Sequence, residues 1–158
     1  MKLVHKDVKI GHIHLTVADL DRSLSFYRDL LGFEIMERYE DSAVFLSAGG
    51  YHHHIALNTW AGKGAAPPPP GRTGLYHFAI LYPNRKELAK AAKILIDAKY
   101  PLDGASDHGV SEAIYLKDPD GNGIELYRDR PKRDWPMKNG RLKMTLKPLS
   151  LLGLLEEI

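Results

Sequence analysis

There is no cysteine anywhere in the 158 residues. That excludes disulfide staples, thiolate zinc sites, iron–sulfur clusters and a cysteine nucleophile. No apolar run approaches the length of a membrane span, and Met1–Asp7 offer no signal-peptide core, so a soluble, cytoplasmic protein is expected. Charge of one sign is not in excess either: 22 Lys+Arg stand against 20 Asp+Glu, a formal net charge of +2. Basic residues crowd only between Arg128 and Arg141, where Asp129, Asp134, Pro131 and Pro136 interrupt them. Such a segment reads as a solvated linker, so neither nucleic acid nor membrane is expected as a partner. The length suits one domain, or two tightly associated half-domains, able to bury a core without staples.

What the chain does have is histidine, eight in all, three of them consecutive at His52, His53 and His54. It also has an internal repeat. Residues 8–17 alternate in the period of a half-buried strand, Asp19 is placed to cap a helix carrying Leu20, Leu24, Tyr27 and Leu31, and Gly32 stops it. Strands are expected at Phe33–Glu40, Ala43–Ser47 and His53–Thr59. The pattern then restarts: a strand over Leu75–Tyr82, a helix over Asn84–Ala98, and strands at Leu102–Ala105, Ser111–Lys117 and Gly123–Arg128. The expected fold is therefore α+β, two tandem βαβββ modules at 8–59 and 75–128. Residues 60–74, with four prolines at Pro67–Pro70, form a stiff spacer between them. Residues 129–158 follow as a tail ending in a short apolar helix, whose leucines call for a docking surface on the domain or on a second subunit. A homo-oligomer is expected.

Strand parity separates ligands from core. In the first strand Ile13, Leu15 and Val17 share the core face, and His12 and His14 lie opposite with Thr16. Tyr76, Phe78 and Ile80 leave His77 on the other face, and Ile124 and Leu126 do the same for Glu125. In the strand after the double glycine, His53 has core parity with Ile55 and Leu57, while His52 and His54 share the other face. Titratable groups thus recur at equivalent places in both halves. Two imidazoles and one carboxylate form a facial donor set with open coordination positions, suited to Fe(II) or Mn(II). Parity alone leaves His12 and His14 both open as the first-half ligand.

The stretch GHIHLTVADLDRSLSFYRDLLGF, with LYHFAI and DPDGNGIELY, resembles the vicinal oxygen chelate superfamily of glyoxalases, antibiotic-resistance proteins and extradiol dioxygenases, over about residues 8–128. That resemblance implies paired βαβββ modules closing a partly barrel-like site. Its ligand stands seven residues before the helix-opening Asp19, which selects His12 over His14, with His77 and Glu125 completing the metal set. The nearest likeness is to extradiol catechol dioxygenases, whose signature runs from His108 through Ile114 and Tyr115, over the turn at Asp118-Pro119-Asp120-Gly121, to Glu125. It implies cleavage of a small catechol-type aromatic by O2 on Fe(II), or on Mn(II), with His54 as catalytic base and Tyr115 and His108 at the substrate oxygen. The proline-rich insert lengthens the stretch from His54 to His77 beyond the family's usual spacing, and His52, on the same face, is the alternative to His54. Two other functions fit the same scaffold: a glyoxalase-like metal-dependent isomerase or transferase, with His54 as a fourth ligand, and a non-catalytic binder of a small aromatic.

Overall fold

The computed structural model describes residues 3–158, which fall into two compact units, Met1–Ala66 and Pro67–Ile158. The first contains β1 (Ile13–Thr16), α1 (Leu20–Leu24) running into a π-helical stretch (Ser25–Leu30), β2 (Glu34–Tyr39), β3 (Ala43–Ser47) and β4 (Ile55–Asn58). The strands lie in the order β1-β4-β3-β2, with β1 parallel to β4 and the other pairs antiparallel. Asp19 caps α1 as expected, its Oδ1 accepting from the Arg22 N–H at 2.9 Å. The helix does not stay α. The Leu31 N–H bonds the Phe26 carbonyl at 2.9 Å, a five-residue step. The wider turn lets the neighbours Phe26 and Tyr27 both face the core, their rings edge to face at 4.9 Å. Gly32, at φ +83°, closes it.

The first strand is shorter than its alternation, which ran over residues 8–17. Ile13–Thr16 pair residue for residue with Ile55–Asn58, and 8–12 lie outside any strand. The length of β4 sets this limit, because β1 can extend only as far as its partner does. His53 and His54, expected inside β4, precede it for the same reason.

The second unit repeats the plan with β5 (Phe78–Leu81), α2 (Arg85–Asp97), β6 (Leu102–Asp107), β7 (Ser111–Lys117) and β8 (Gly123–Asp129). Again the first strand is parallel to the last, β5 to β8, and β6, β7 and β8 run antiparallel. Asn84 caps α2 through the Glu87 N–H at 2.9 Å. Leu88, Ala92 and Leu95 of α2 are fully buried, as are Ile114, Leu116, Ile124 and Leu126 of the sheet. Two βαβββ modules in an α+β fold are therefore present. Beyond β8 come a 3-10 turn (Lys132–Asp134), a hairpin of β9 (Met137–Lys138) and β10 (Arg141–Leu142), β11 (Lys147–Pro148) and α3 (Leu151–Leu155). The chain beyond β8 is not a mere appendage, since β11 adds a fifth strand beside β6, in the order β11-β6-β7-β8-β5. Leu154 is buried, and α3 packs on α2.

A buried carboxylate ties these pieces together. Glu112, 4% exposed, receives Arg85 at 3.0 Å, Arg128 at 2.8 Å and Arg130 at 2.9 Å. Arg85 also reaches Glu157 at 2.5 Å and the Gly153 carbonyl of α3 at 3.1 Å, and Arg130 reaches Asp107 at 2.7 Å. Three guanidiniums against three carboxylates leave the cluster neutral, the condition under which buried charge is tolerated. Among the described residues no helix is long and apolar enough to cross a membrane.

Candidate active site

In the second unit, register places the predicted groups on one face. Tyr115 of β7 and Ala79 of β5 both stand level with Glu125 of β8. His77, two residues before Ala79, keeps that face although it lies just outside the strand. The side chains meet there: His77 Nε2 is 3.0 Å from Glu125 Oε2, and the Tyr115 hydroxyl is 3.5 Å from Glu125 Oε1. The same hydroxyl is 2.5 Å from His108 Nε2. Four of the six site residues expected from the sequence thus form one connected line, His77–Glu125–Tyr115–His108. It borders a cleft of about 550 Å³ whose walls include Tyr76, His77, Tyr115, Ile124 and Leu146. Burial, reinforced by the Glu125 carboxylate, raises the Tyr115 phenol to about 12, so it keeps its proton at neutral pH.

Local chemistry explains the placement. The turn before β8 is wound around Asp118, whose Oδ1 accepts from the Asp120 and Asn122 N–H groups at 2.9 and 2.8 Å. Its Oδ2 takes the Asn122 amide at 2.9 Å. This delivers Gly123 at the point where the chain bearing His77 passes. A Cβ on Gly123 would lie 2.1 Å from the Tyr76 carbonyl oxygen and 3.1 Å from His77 Cβ. Only a residue without a side chain lets β5 and β8 enter side by side here. From sequence, Gly123 is expected only as the first residue of the last strand. The doubled glycine of Asp-Gly-Asn-Gly was the available signal that the second one had a separate task. Thr145 and Leu146 of the tail were missed as well: the Thr145 carbonyl is 3.2 Å from His108 Nδ1, and Leu146 lines the cleft.

The remaining two residues belong to the first unit. His12 is exposed immediately before β1, and its ring centroid is 4.2 Å from that of His53. His14 is engaged elsewhere: its Nε2 is 3.0 Å from the Asn58 amide, and Trp60 packs against its ring at 5.2 Å. The three consecutive histidines take different roles. His54 Nδ1 accepts from the Ala48 backbone N–H at 3.3 Å and faces Ser47 Oγ at 3.2 Å, so its free lone pair is already used. His52 and His53 approach each other through Nδ1 at 2.8 Å. Burial, followed by the neighbouring His12 and His52, pushes the His53 imidazolium pKa below the ordinary histidine value. His53, assigned by parity to the core, instead faces His12.

His77 and Glu125 fit a divalent metal. An imidazole nitrogen and a carboxylate oxygen held 3.0 Å apart are two donors aimed at one point, where a proton or a cation can be shared. Among the described residues no group of three or more His, Cys, Asp or Glu side chains is placed to hold a metal ion.

Residues 9–126 match the model of the Glyoxalase/Bleomycin resistance protein/Dioxygenase superfamily. The chain is 43% identical over 158 residues to catechol-2,3-dioxygenase of Bacillus subtilis (strain 168), covering 99% of this chain and 54% of that protein. It is 32% identical over 122 residues to biphenyl-2,3-diol 1,2-dioxygenase 3 of Rhodococcus globerulus, covering 77% of this chain and 63% of that one. It therefore spans between about half and two thirds of the length of these relatives. Among solved structures, a glyoxalase/dioxygenase from Nostoc punctiforme shares the fold, with TM-score 0.66 at 21% identity over 83% of this chain and 99% of that one. A duplicated βαβββ plan and a model matched across both copies lead to one conclusion: the chain belongs to the Glyoxalase/Bleomycin resistance protein/Dioxygenase superfamily.

Proposed function

We propose that this chain is an extradiol ring-cleavage dioxygenase acting on a small catechol-type aromatic with O2. The observation that carries the reading is the line His77–Glu125–Tyr115–His108, two of whose members, His77 and Tyr115, line the cleft. A glyoxalase-type Lewis-acid site needs metal donors but has no evident use for a Tyr–His pair beside the carboxylate. Likeness to two ring-cleaving relatives supports the same reading.

In this reading His77 and Glu125 would supply two of the metal's ligands, Fe(II) as first choice and Mn(II) as second. When bound, such an ion would bind the catechol oxygens and O2 and withdraw electron density from the ring oxygens. Tyr115 hydrogen-bonds a substrate hydroxyl in the cleft, and His108 orients it. Deprotonating a catechol calls for a neutral imidazole with a free lone pair. The Ala48 N–H occupies that lone pair on His54, whereas a His53 that donates from Nδ1 to His52 keeps a bare Nε2, so we place the base at His53, whose ring stands against His12. The side chains of Tyr76, Ile124 and Leu146 offer an aromatic ring apolar contact.

The test is turnover. Protein reconstituted anaerobically with Fe(II) or Mn(II), given a catechol and then air, should form the yellow ring-opened semialdehyde. No product from any of a panel of simple and substituted catechols would sink the dioxygenase reading. Preferential retention of Ni(II) or Zn(II), with isomerase activity on a thiohemiacetal, would replace it with the glyoxalase-like alternative.

A further inference from the structure

The tail meets the catalytic line at one residue. The His108 backbone carbonyl accepts from the Thr145 N–H at 2.9 Å, and His108 Nδ1 lies 3.2 Å from the Thr145 carbonyl. Backbone and ring of His108 are thus both held by one residue of the segment Lys143–Pro148. That segment is itself anchored, because β11 pairs with β6 through Lys147 opposite Asp107 and Pro148 opposite Ser106. Room for it comes from Gly109, at φ +76°, where a Cβ would lie 2.8 Å from Pro136 Cγ and 3.0 Å from Thr145 Oγ1.

Hydrogen-bond chemistry fixes where the protons are. A backbone carbonyl only accepts, so His108 Nδ1 must carry a hydrogen, and in the neutral ring Nε2 is then bare. A bare Nε2 at 2.5 Å from the Tyr115 oxygen must accept the phenolic proton. Tyr115 has one proton, and the 2.5 Å partner takes it in preference to Glu125 Oε1 at 3.5 Å. Glu125 Oε1 therefore keeps its lone pairs, and the Tyr115 oxygen turns its own toward the cleft as an acceptor. Were the tail segment absent, His108 would be free to take the other tautomer and donate from Nε2. Tyr115 would then direct its proton at Glu125, reversing the polarity of the whole line.

We propose that the segment Lys143–Pro148 is a positioning element of the site, in which the Thr145 carbonyl holds His108 as the Nδ1–H tautomer and thereby makes Tyr115 an acceptor toward a substrate hydroxyl. Its catalytic meaning rests on the dioxygenase reading; the tautomer does not. Leu146, the next residue, brings the cleft wall along with the same segment.

Long-range proton–nitrogen NMR of the ¹⁵N-labelled full chain, with and without Zn(II) as a diamagnetic stand-in, reads the tautomer directly once His108→Gln identifies the signals. The wild-type chain is expected to show a protonated Nδ1 and a bare Nε2 on His108. Thr145→Val, which keeps the carbonyl, should give the same pattern. Gly109→Ala, which drives Pro136 and Thr145 away, should move the proton toward Nε2. It should also lower kcat on catechol by about tenfold with KM little changed, the mark of an interaction made in the transition state. Thr145→Pro, which loses the N–H bonded to His108, serves if Gly109→Ala does not fold. A wild-type His108 in the Nε2–H form overturns the proposal by itself. So does either variant that exposes the Thr145 segment to amide exchange or proteolysis yet leaves the tautomer unchanged. An Nδ1–H tautomer in a chain that cleaves no catechol leaves the positioning geometry standing and removes the dioxygenase reading.

Discussion

Replacing Gly123 with alanine adds one methyl group at the closest backbone approach in the site. The new Cβ would stand 2.1 Å from the Tyr76 carbonyl oxygen, 3.2 Å from its carbon and 3.1 Å from His77 Cβ. Backbone is the main obstacle, so no rotamer change relieves it, and the segment bearing His77 must retreat by about 1 Å or more to reach ordinary contact. His77 Nε2 now lies 3.0 Å from Glu125 Oε2. The same retreat carries it out of range for sharing a cation with that carboxylate. We expect a stability loss of about 1–3 kcal/mol from overpacking. A catalytic loss of about 10²-fold should accompany it, the usual consequence of a 1 Å misplacement in a site. Urea unfolding measures the first, and anaerobic Fe(II) titration with semialdehyde formation measures the second. Gly121→Ala is the control, because at φ +86° it strains the same turn while its Cβ meets nothing within 4 Å. It should lose stability while retaining metal affinity. A Gly123→Ala protein that binds metal and turns over like wild type, or that cannot be told from Gly121→Ala, would refute the assignment of Gly123 to the placement of His77.

His53→Asn should lower ring cleavage by about 10²–10⁴-fold, the range for losing a general base. His54→Asn should instead cost about 1 kcal/mol of stability through its bonds to Ala48 and Ser47, and the opposite pattern in kcat would return the base to His54. Glu112→Ala strips three arginines of a shared buried carboxylate and should cost about 3–5 kcal/mol in urea unfolding; a loss below about 1 kcal/mol would show the cluster to be dispensable. Burial works to raise the pKa of Asp107, but the Gly109 N–H at 2.8 Å and Arg130 at 2.7 Å outweigh it and hold the carboxyl below its ordinary value. Its contribution is therefore complete above the unfolded carboxylate pKa of about 4 and disappears as pH falls through the lower folded value. Acid unfolding of Asp107→Asn should lack that part of the wild-type slope, and identical slopes would contradict the assignment.

Much of the site was legible because strand parity needs only local alternation. Parity puts His77 and Glu125 off the core face whatever the exact strand ends, so the error in β5, expected from Leu75 and found from Phe78, did no harm there, whereas Tyr115 came only from the likeness to the extradiol signature. Ala43–Ser47 and Ser111–Lys117 were delimited correctly, since polar or turn residues bound each of them. Strand ends set by a partner's length were not legible. Residues 8–12 alternate perfectly well, yet β1 stops where β4 runs out. The same failure displaced the histidine triplet: β4 does not include His53 and His54, so its parity says nothing of them, and His53 is half-buried against His12 instead of in the core.

The part of the site that parity could not reach is the part made by proximity between distant segments. Thr145 lies far from His108 in sequence and has no motif, and its role depends on a carbonyl that every residue possesses. Sequence can mark a donor such as His108 but not the acceptor that decides which of its nitrogens is protonated. Gly109 and Gly123 are the exceptions that prove useful, for each marks a place where a second chain passes too close for a side chain: Pro136 and Thr145 at one, Tyr76 and His77 at the other. Both crossings hold a histidine of the line, one from each end. A glycine next to a candidate catalytic or ligand residue is thus worth reading as a pointer to an unseen partner segment, and here the two glycines point to the two segments that orient His108 and His77.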